Sequence, residues 1–400
     1  MKWFYNIAQS VVLALEHIFD QNEQADKYIN KLLKQQKKWG SRDRRFVAKI
    51  LYDIVRWKRY YEFIANSSIN SIEGKWKIIA VWSIQNNIEL PDWEEFSHIN
   101  IEEITNKLAE KNIPQEILTS VPDWLHQKLL DQLKDKWFDE LNALNKEAEV
   151  VLRVNTLKIT VEKLQSILLK NQIETYQKEG FPEALFLTQR KKITHLPAYK
   201  KGLFEVQDAS SQLVAHFAEV KPGMTVIDAC AGAGGKTLHL AARMKNEGQI
   251  FAYDIYPSKI EELNKRAKRN AVKILAQTAV ITPKHIENNN EIADVLLIDA
   301  PCSSLGTLRR KPDLKWKLNP DKITQIKVIQ QDILSKYASM LKKNGLLIYV
   351  TCSILPEENQ DNVKSFLEQN KNFIFVEDKT VLPSQSGHDG FYMAKLLKTQ

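Results

Sequence analysis

Two thiols and a carboxylate stand where a folded chain could use them together. Cys302 lies three residues after Asp299 in Leu297-Ile-Asp-Ala-Pro-Cys-Ser-Ser304, and Cys352 lies in Thr351-Cys-Ser-Ile354. Each follows a short apolar run, Val295–Ile298 and Leu346–Val350, with the length and composition of a buried strand. Pro301 stops the first run from continuing as a paired strand. A lone thiol is usually packing, and that is the expectation for Cys230. Two thiols past strand ends beside a strand-end carboxylate point instead to nucleophilic catalysis assisted by an acid.

A third segment converges on the same place. Thr225–Asp228 reads as a strand, Ala229–Lys236 as a small-residue loop and Thr237–Met244 as a helix. The run Ala231-Gly-Ala-Gly-Gly-Lys236 lets backbone approach a ligand closely. The next strand, Gln249–Tyr253, ends at Asp254, 20 residues after Gly234, where an acid can accept both hydroxyls of a ribose. The loop is neither a phosphate-binding P-loop nor a strict GxGxxG. A nucleoside-type ligand that needs no phosphate cradle remains, such as S-adenosylmethionine. Methyl transfer would explain the thiols: C5 of cytosine is too weak a nucleophile until a thiolate has added to C6. A second group must then help remove the C5 proton so that elimination frees the enzyme. One acid and two thiols meet that need.

The elements that must position these groups alternate from Gly202 onward. Strands precede a long helix ending near Asn270 and another over Lys322–Lys342, which predicts a doubly wound parallel sheet. Residues 145–204 read as a small α/β module, with β-like Val150–Val154 and Ala184–Leu187 around a helix over Val161–Ile173. Residues 1–140 read as helical, with stripes such as Ile7, Val11, Leu15, Ile18 and Phe46, Ile50, Ile54. The cations Lys31, Lys34, Lys37, Lys38, Arg42, Arg44 and Arg45, interleaved with Trp39 and Trp57, suit a solvated helix face or an RNA contact.

Composition bounds the reading. The 400 residues carry a net charge of +8, compatible with a nucleic-acid partner. The three cysteines form no CxxC pair, which argues against a disulfide framework and a zinc site and suits a reducing cytosol. No apolar stretch reaches membrane-spanning length, and Met1–Asp20 reads as a helix rather than a signal peptide.

Six segments in order resemble the RsmB-type RNA (cytosine-C5) methyltransferases of the NOL/NOP/Sun group. They are Phe204–Leu213, Asp228–Thr237, Asp299–Ser304, Arg309–Asp313 with Trp316, Thr351–Ile354 and Gly387–Lys395. The resemblance covers nearly the whole chain. It implies a Rossmann-like class I methyltransferase domain over 205–400, preceded by a small RNA-binding α/β extension over 145–204. It also implies an all-α domain over 1–140 like that of the antitermination factor NusB. It further implies Cys352 as nucleophile, Cys302 as the helper of product release and Asp299 near base and cofactor. S-adenosylmethionine is then expected over Cys230, Ala231, Gly232, Ala233, Gly234, Gly235 and Lys236, with Asp254, Lys259 and Asp299. Arg309, Arg310, Lys311 and Lys315 are expected on the RNA backbone. The expected protein is a cytoplasmic monomer acting on small-subunit ribosomal RNA.

Two departures stand out. The family loop usually reads Cys-Ala-Ala-Pro-Gly-Gly-Lys, and here Gly232 and Ala233 replace Ala-Pro, giving up a rigid φ. Over Ile281–Glu291, where the family offers an Asp to the adenine amino group, Glu287 is the candidate and no contact is assigned. Alternatives are a tRNA cytosine methyltransferase or a catalytically silent RNA-binding assembly factor. An amino-group methyltransferase would need an Asn/Asp-Pro-Pro-aromatic loop where Asp-Ala-Pro-Cys stands. Deleting residues 1–140 is expected to reduce RNA affinity or selectivity more than it alters the chemical step.

Overall fold

The alternation of apolar runs and helical stretches after residue 220 produces a seven-stranded sheet in the computed structural model, which describes residues 2–400. Its strands are β5 (Thr225–Asp228), β6 (Gln249–Asp254), β7 (Leu275–Val280), β8 (Ala293–Asp299), β9 (Leu341–Thr351), β10 (Phe373–Val381) and β11 (Phe391–Lys398). The order is β10-β11-β9-β8-β5-β6-β7, with β5 to β9 parallel and β11 antiparallel to both β9 and β10. Both faces are covered. One apolar layer contains Ile227, Leu296, Ile298 and Tyr349; the other contains Val226, Val295, Leu297 and Val350. That is why these strands read as continuous apolar runs rather than alternating ones.

The four strands before this sheet are β1 (Val151–Val154), β2 (Thr175–Tyr176), β3 (Ala184–Leu187) and β4 (Phe204–Val206). They form an antiparallel sheet in the order β2-β3-β1-β4, backed by the helix Val161–Lys170. Because β4 pairs with β1, this module runs through Val206, past the expected boundary at 204. Hydrogen bonds and an ion pair tie it to helices of the seven-stranded sheet. Glu183 meets His216 at 2.5 Å, His239 at 3.4 Å and Arg243 at 3.3 Å. These ligand atoms lie close enough to share one metal ion. The carboxylate is already shared by two imidazoles and a guanidinium, however, so the cluster reads as a hydrogen-bonded network around Glu183.

The chain divides into two compact units, and the second, Glu147–Thr307 with Pro320–Gln400, holds both sheets. The first is helical and comprises Met1–Lys146 together with Leu308–Asn319. The helices Tyr5–Phe19, Ser41–Arg56 and Ile72–Gln85 bury Val11, Leu15, Ile50, Ile54, Ile79 and Trp82. Trp39 is also buried, so this aromatic among the cations serves the core and offers no stacking face. Lys31, Lys34, Lys37, Lys38, Arg42 and Arg45 remain exposed, while Arg44 turns inward to the carbonyls of Trp39 and Gln36.

The second segment of the helical unit was not expected. Lys315 is fully buried, its Nζ donating to the Arg56 carbonyl at 2.7 Å and to Asn145 Oδ1 at 3.1 Å. Trp316 donates to the Val55 carbonyl at 2.7 Å, Lys317 to the Glu23 carbonyl, and Asp313 accepts from the Ala25 N–H at 3.0 Å. Sequence spacing alone could not reveal these partners, which lie some hundreds of residues away.

Candidate active site

Strand order reverses between β5 and β8, and β5 pairs in register with both neighbours: Asp228 faces Ala252 of β6 and Leu297 of β8. A crevice opens at such a reversal, beyond the carboxyl ends of the strands. β8 and β9 end side by side, with Asp299 opposite Val350, and deliver Cys302 and Cys352 to the same edge.

The glycine loop lies at the end of β5. Gly234 has φ +81°, and a Cβ there would stand 2.8 Å from Leu263 Cγ, so the position tolerates only glycine without a shift. Gly232 has φ +54°, and a Cβ there would meet nothing within 4 Å. Its N–H donates to Asp254 Oδ2 at 2.8 Å, and the Tyr256 N–H donates to Asp254 Oδ1 at 2.9 Å. The loop's carbonyls are held from behind. Arg266 Nη1 donates to the Ala233 carbonyl at 2.7 Å, and Arg153 Nη1, reaching across from β1, donates to the Gly235 carbonyl at 2.5 Å. Glu205 on β4, 2% exposed, pairs with Arg266 and Arg269 at 2.9 and 2.5 Å.

A cavity of about 240 Å³ is lined by Cys230–Ala233, Gly235, Lys236, Asp228 and Asp299, with Val206, Gln207, Ser211 and Arg266. Asp228 is wholly buried there; Thr237 Oγ1 donates to its Oδ2 at 2.7 Å, while its Oδ1 has no partner. Burial pushes this carboxyl up to about 7, with the Asp299 charge adding to the effect against the Thr237 hydrogen bond and Lys236. Burial and the charges of Asp228, Asp299 and Asp254 push the Cys230 thiol well up, which leaves it an unreactive lining group. An open glycine cradle, a ribose-type acid and an unpartnered carboxyl oxygen suit S-adenosylmethionine, whose sulfonium and ribose call for acceptors.

The thiols form a pair. Cys302 Sγ and Cys352 Sγ stand 3.2 Å apart, both free, and Ser304 Oγ lies 3.4 Å from Cys352 Sγ. Lys236 Nζ meets Asp299 Oδ2 at 2.5 Å. Burial would lower the ammonium, but the Asp299 carboxylate outweighs it and holds Lys236 above its ordinary value. The two thiols are pushed apart. Cys302 is held well up, first by its hydrogen bond to Cys352 and then by burial. Cys352 is lowered, first by the hydrogen bond from Cys302, which outweighs burial and the Asp299 charge; Ser304 and Lys236 add to the lowering. Of the two thiols, Cys352 is the one that gives up its proton more readily.

The remaining expected residues separate. Lys236, expected to support the loop or the RNA backbone, sits at the strand-end edge as the partner of Asp299. Lys259 is exposed on the first turn of the helix Pro257–Asn270. Arg309 and Lys315 do not form an RNA-facing surface: they are 8% and 0% exposed within the helical unit. Burial and the neighbouring Arg56 push Lys315 well below its ordinary value. Arg310 is half-buried and Lys311 exposed. After β7 the chain offers no carboxylate at the strand end; Thr282 and His285 join there at 2.8 Å, and Glu287 is exposed on the helix Pro283–Asn288. Sequence reasoning missed Arg153, Glu205, Arg266 and Glu358. Of these, Glu205 lies within a segment that carries the family resemblance, and Glu358 follows Thr351-Cys-Ser closely in Pro-Glu-Glu-Asn, which was the available signal.

Comparison with known proteins agrees with this geometry. Residues 215–397 match the family model for 16S rRNA methyltransferase RsmB/F, and residues 121–194 match the ferredoxin-like domain of the RsmF/B-like methyltransferases. Ribosomal RNA small subunit methyltransferase B of Photorhabdus laumondii is 33% identical over 289 residues, 69% of this chain and 66% of that protein. A Synechocystis protein named as a probable ribosomal RNA small subunit methyltransferase B is 32% identical over 313 residues, 73% of this chain and 70% of that one. The crystal structure of PH0851 superposes with a TM-score of 0.83 over 99% of both chains at 25% identity. The match to the Photorhabdus relative spans just under two thirds of that protein's length. On the family model and these identities, the chain belongs to the RsmB/F family of 16S rRNA methyltransferases.

Proposed function

We propose that the protein transfers a methyl group from S-adenosylmethionine to C5 of a cytosine in small-subunit ribosomal RNA, through a covalent bond between Cys352 and C6. The observation that carries this reading is the pair of free thiols 3.2 Å apart, beside the Lys236–Asp299 ion pair and the glycine loop. The class of RNA is taken from the names of the relatives. When bound, S-adenosylmethionine supplies an electrophilic methyl group; Gly232–Gly235, Asp254 and Asp299 would hold it.

The chain's own residues then act in order. Cys352, with its thiol lowered, attacks C6 and pushes electrons into the ring. The Lys236 ammonium, fixed by Asp299, donates a hydrogen bond to the ring nitrogen where that charge collects. C5 becomes nucleophilic and accepts the methyl group, after which it must lose its proton. Cys302 keeps its own proton at first, chiefly because of the sulfur of Cys352 beside it. When Cys352 has become a thioether that cause is gone, and Cys302 can release its proton to solvent and take the one from C5. The C5–H electrons re-form the C5–C6 double bond, the C6–S bond breaks, and Cys352 leaves as thiolate.

A denaturing gel of each variant with cytosine-bearing RNA and S-adenosylmethionine tests the assignment. Cys352→Ala should abolish turnover and form no covalent species, whereas Cys302→Ala should transfer methyl and stall with RNA attached. A trapped complex from Cys352→Ala alone would reverse the roles, and none from either would overturn the covalent route. Bisulfite sequencing of total RNA with and without the gene identifies the target; a mark lost from tRNA alone would move the substrate there.

A further inference from the structure

Behind the thiol pair lies a carboxylate with no role in the steps above. Glu358 closes the short turn Pro356–Glu358 after β9 and is 0% exposed. Its Oε1 accepts from the Ser303 N–H at 2.8 Å and from Gln330 Nε2 at 3.2 Å. Its Oε2 accepts from the Ser303 hydroxyl at 2.5 Å and from the Ser353 hydroxyl. The two serine hydroxyls also meet each other at 3.1 Å. Ser303 directly follows Cys302, and Ser353 directly follows Cys352. A carboxylate taken wholly out of water persists only where donors surround it, and three of these four donors come from the residues that follow the two cysteines.

We propose that Glu358 is the positioning residue of the thiol pair: by binding the residue after each cysteine it sets the separation of the two sulfurs and the unequal reactivity of the two thiols. The proposal rests on the reading of Cys352 as the nucleophile. The staple is geometric, since one carboxylate binds the residue after each cysteine. The charge acts unevenly. Among the groups that hold the Cys302 thiol up, Glu358 follows the Cys352 hydrogen bond, burial and the Cys352 charge. Cys352 instead faces Asp299, Lys236 and Ser304. Tyr349, whose hydroxyl donates to the carbonyl of Glu358, is pushed well up by burial and contributes no charge of its own. Glu357, next in the chain, pairs outward with Lys327 at 3.1 Å.

The test uses the full chain without RNA and compares Glu358→Gln with the parent. Glutamine keeps the shape and can still accept from the Ser303 N–H while its amide donates to the hydroxyls, which turn to receive it. Iodoacetamide is applied briefly across a pH series, and peptide mass spectrometry reads each cysteine separately, with Cys230 as internal control. In the parent, Cys352 should react first and at lower pH than Cys302. In Glu358→Gln the Cys302 profile should move to lower pH by about one unit, cutting the preference for Cys352 roughly tenfold. Cys230 should not move. Unchanged profiles for Cys302 and Cys352 would overturn the proposal, and so would equal shifts at all three cysteines, which would indicate loosening alone. Glu358→Ala should lose the preference as well; if it does not fold, the glutamine variant still decides. Adduct formation by the parent at Cys302 would defeat the functional reading, while the alkylation profiles would still report on Glu358.

Discussion

Two wholly buried carboxyls stand at the same sheet edge, and the protein treats them in opposite ways. Glu358 receives four donors from three residues. Asp228 receives one hydroxyl and leaves an oxygen unpartnered. The loops they serve differ in the same sense. The thiol loops are closed by contacts among themselves: the Gly306 N–H donates to the Cys352 carbonyl at 2.9 Å, and the Gly390 N–H to the Gly306 carbonyl at 2.8 Å. A Cβ at Gly306 would sit 2.1 Å from the Gly390 carbonyl, so backbone passes backbone there with no room for a side chain. The glycine loop is instead held through its carbonyls by Arg153 and Arg266, and it lines a cavity to which Arg266 also contributes. The thiol side is thus a finished hydrogen-bond network, while at the cavity one buried carboxyl oxygen, Asp228 Oδ1, has no partner.

The largest way to break this comparison is to remove the support of the thiol side from a distance. The segment Leu308–Asn319 begins six residues after Cys302 and is built into the helical unit through Lys315, Trp316, Lys317 and Asp313. Deleting residues 1–140 would strip Lys315 and Trp316 of the carbonyls of Arg56 and Val55. Such a truncation can therefore act on the chemical step as well as on RNA affinity. We expect kcat at saturating RNA to fall by roughly a hundredfold or more, the scale on which a misplaced reacting group loses rate. Single-turnover kinetics on the truncated chain check this; an unchanged chemical step would leave the helical unit as a binding module only.

How much of this was legible in the sequence depended on distance along the chain. Asp299, Cys302 and Cys352 could be placed together because each lies within a few residues of the end of an apolar run, and parallel strands deliver their ends to one edge. The glycine loop and Asp254 were legible for the same reason. Arg309 and Lys315 misled because a cation in a loop reads as surface, and their burial depends on helices about 250 residues earlier. Lys-Lys-Asn-Gly345 read as the end of a helix, yet β9 already begins at Leu341, and Asn344 at φ +62° absorbs the irregularity within it. Arg153 and Arg266 lie on a strand and a helix whose local patterns were read correctly, but nothing in those patterns shows which carbonyl a guanidinium will reach.

Asp228 sharpens the contrast by a change in stability with pH. In the folded chain burial raises its carboxyl to about 7, against roughly 3.9 in an unfolded chain. Between those values the folded state holds the extra proton, so stability falls as pH rises through the window and stays low above it. Asparagine cannot titrate and still offers Thr237 an acceptor. In the ligand-free protein, the parent should therefore lose about 2 kcal/mol more than Asp228→Asn between pH 5 and pH 8, after discounting for neighbouring charges. Urea unfolding at the two pH values measures it. Equal losses would show that Asp228 is ionised in the folded protein and that its unpartnered oxygen is tolerated at full charge.

The smallest effect should come from loosening the brace of the glycine loop. Ala233 stands where the resemblance expects a proline, and Gly232 before it adopts a left-handed φ, so the loop has no covalent restraint of its own. The Arg266 guanidinium supplies one instead by holding the Ala233 carbonyl, and Glu205 holds the guanidinium. Replacing Arg266 with glutamine removes a charge-assisted bond of about 1.5–3 kcal/mol, but only the part that orders the loop reaches the ligand. S-adenosylmethionine affinity should thus fall about fivefold, with kcat at saturating cofactor unchanged and Arg266→Lys intermediate. Calorimetry with the cofactor, paired with kcat, reads both quantities. A loss in kcat with unchanged affinity would place Arg266 on the thiol side of the comparison, acting on the chemical step rather than on the cradle.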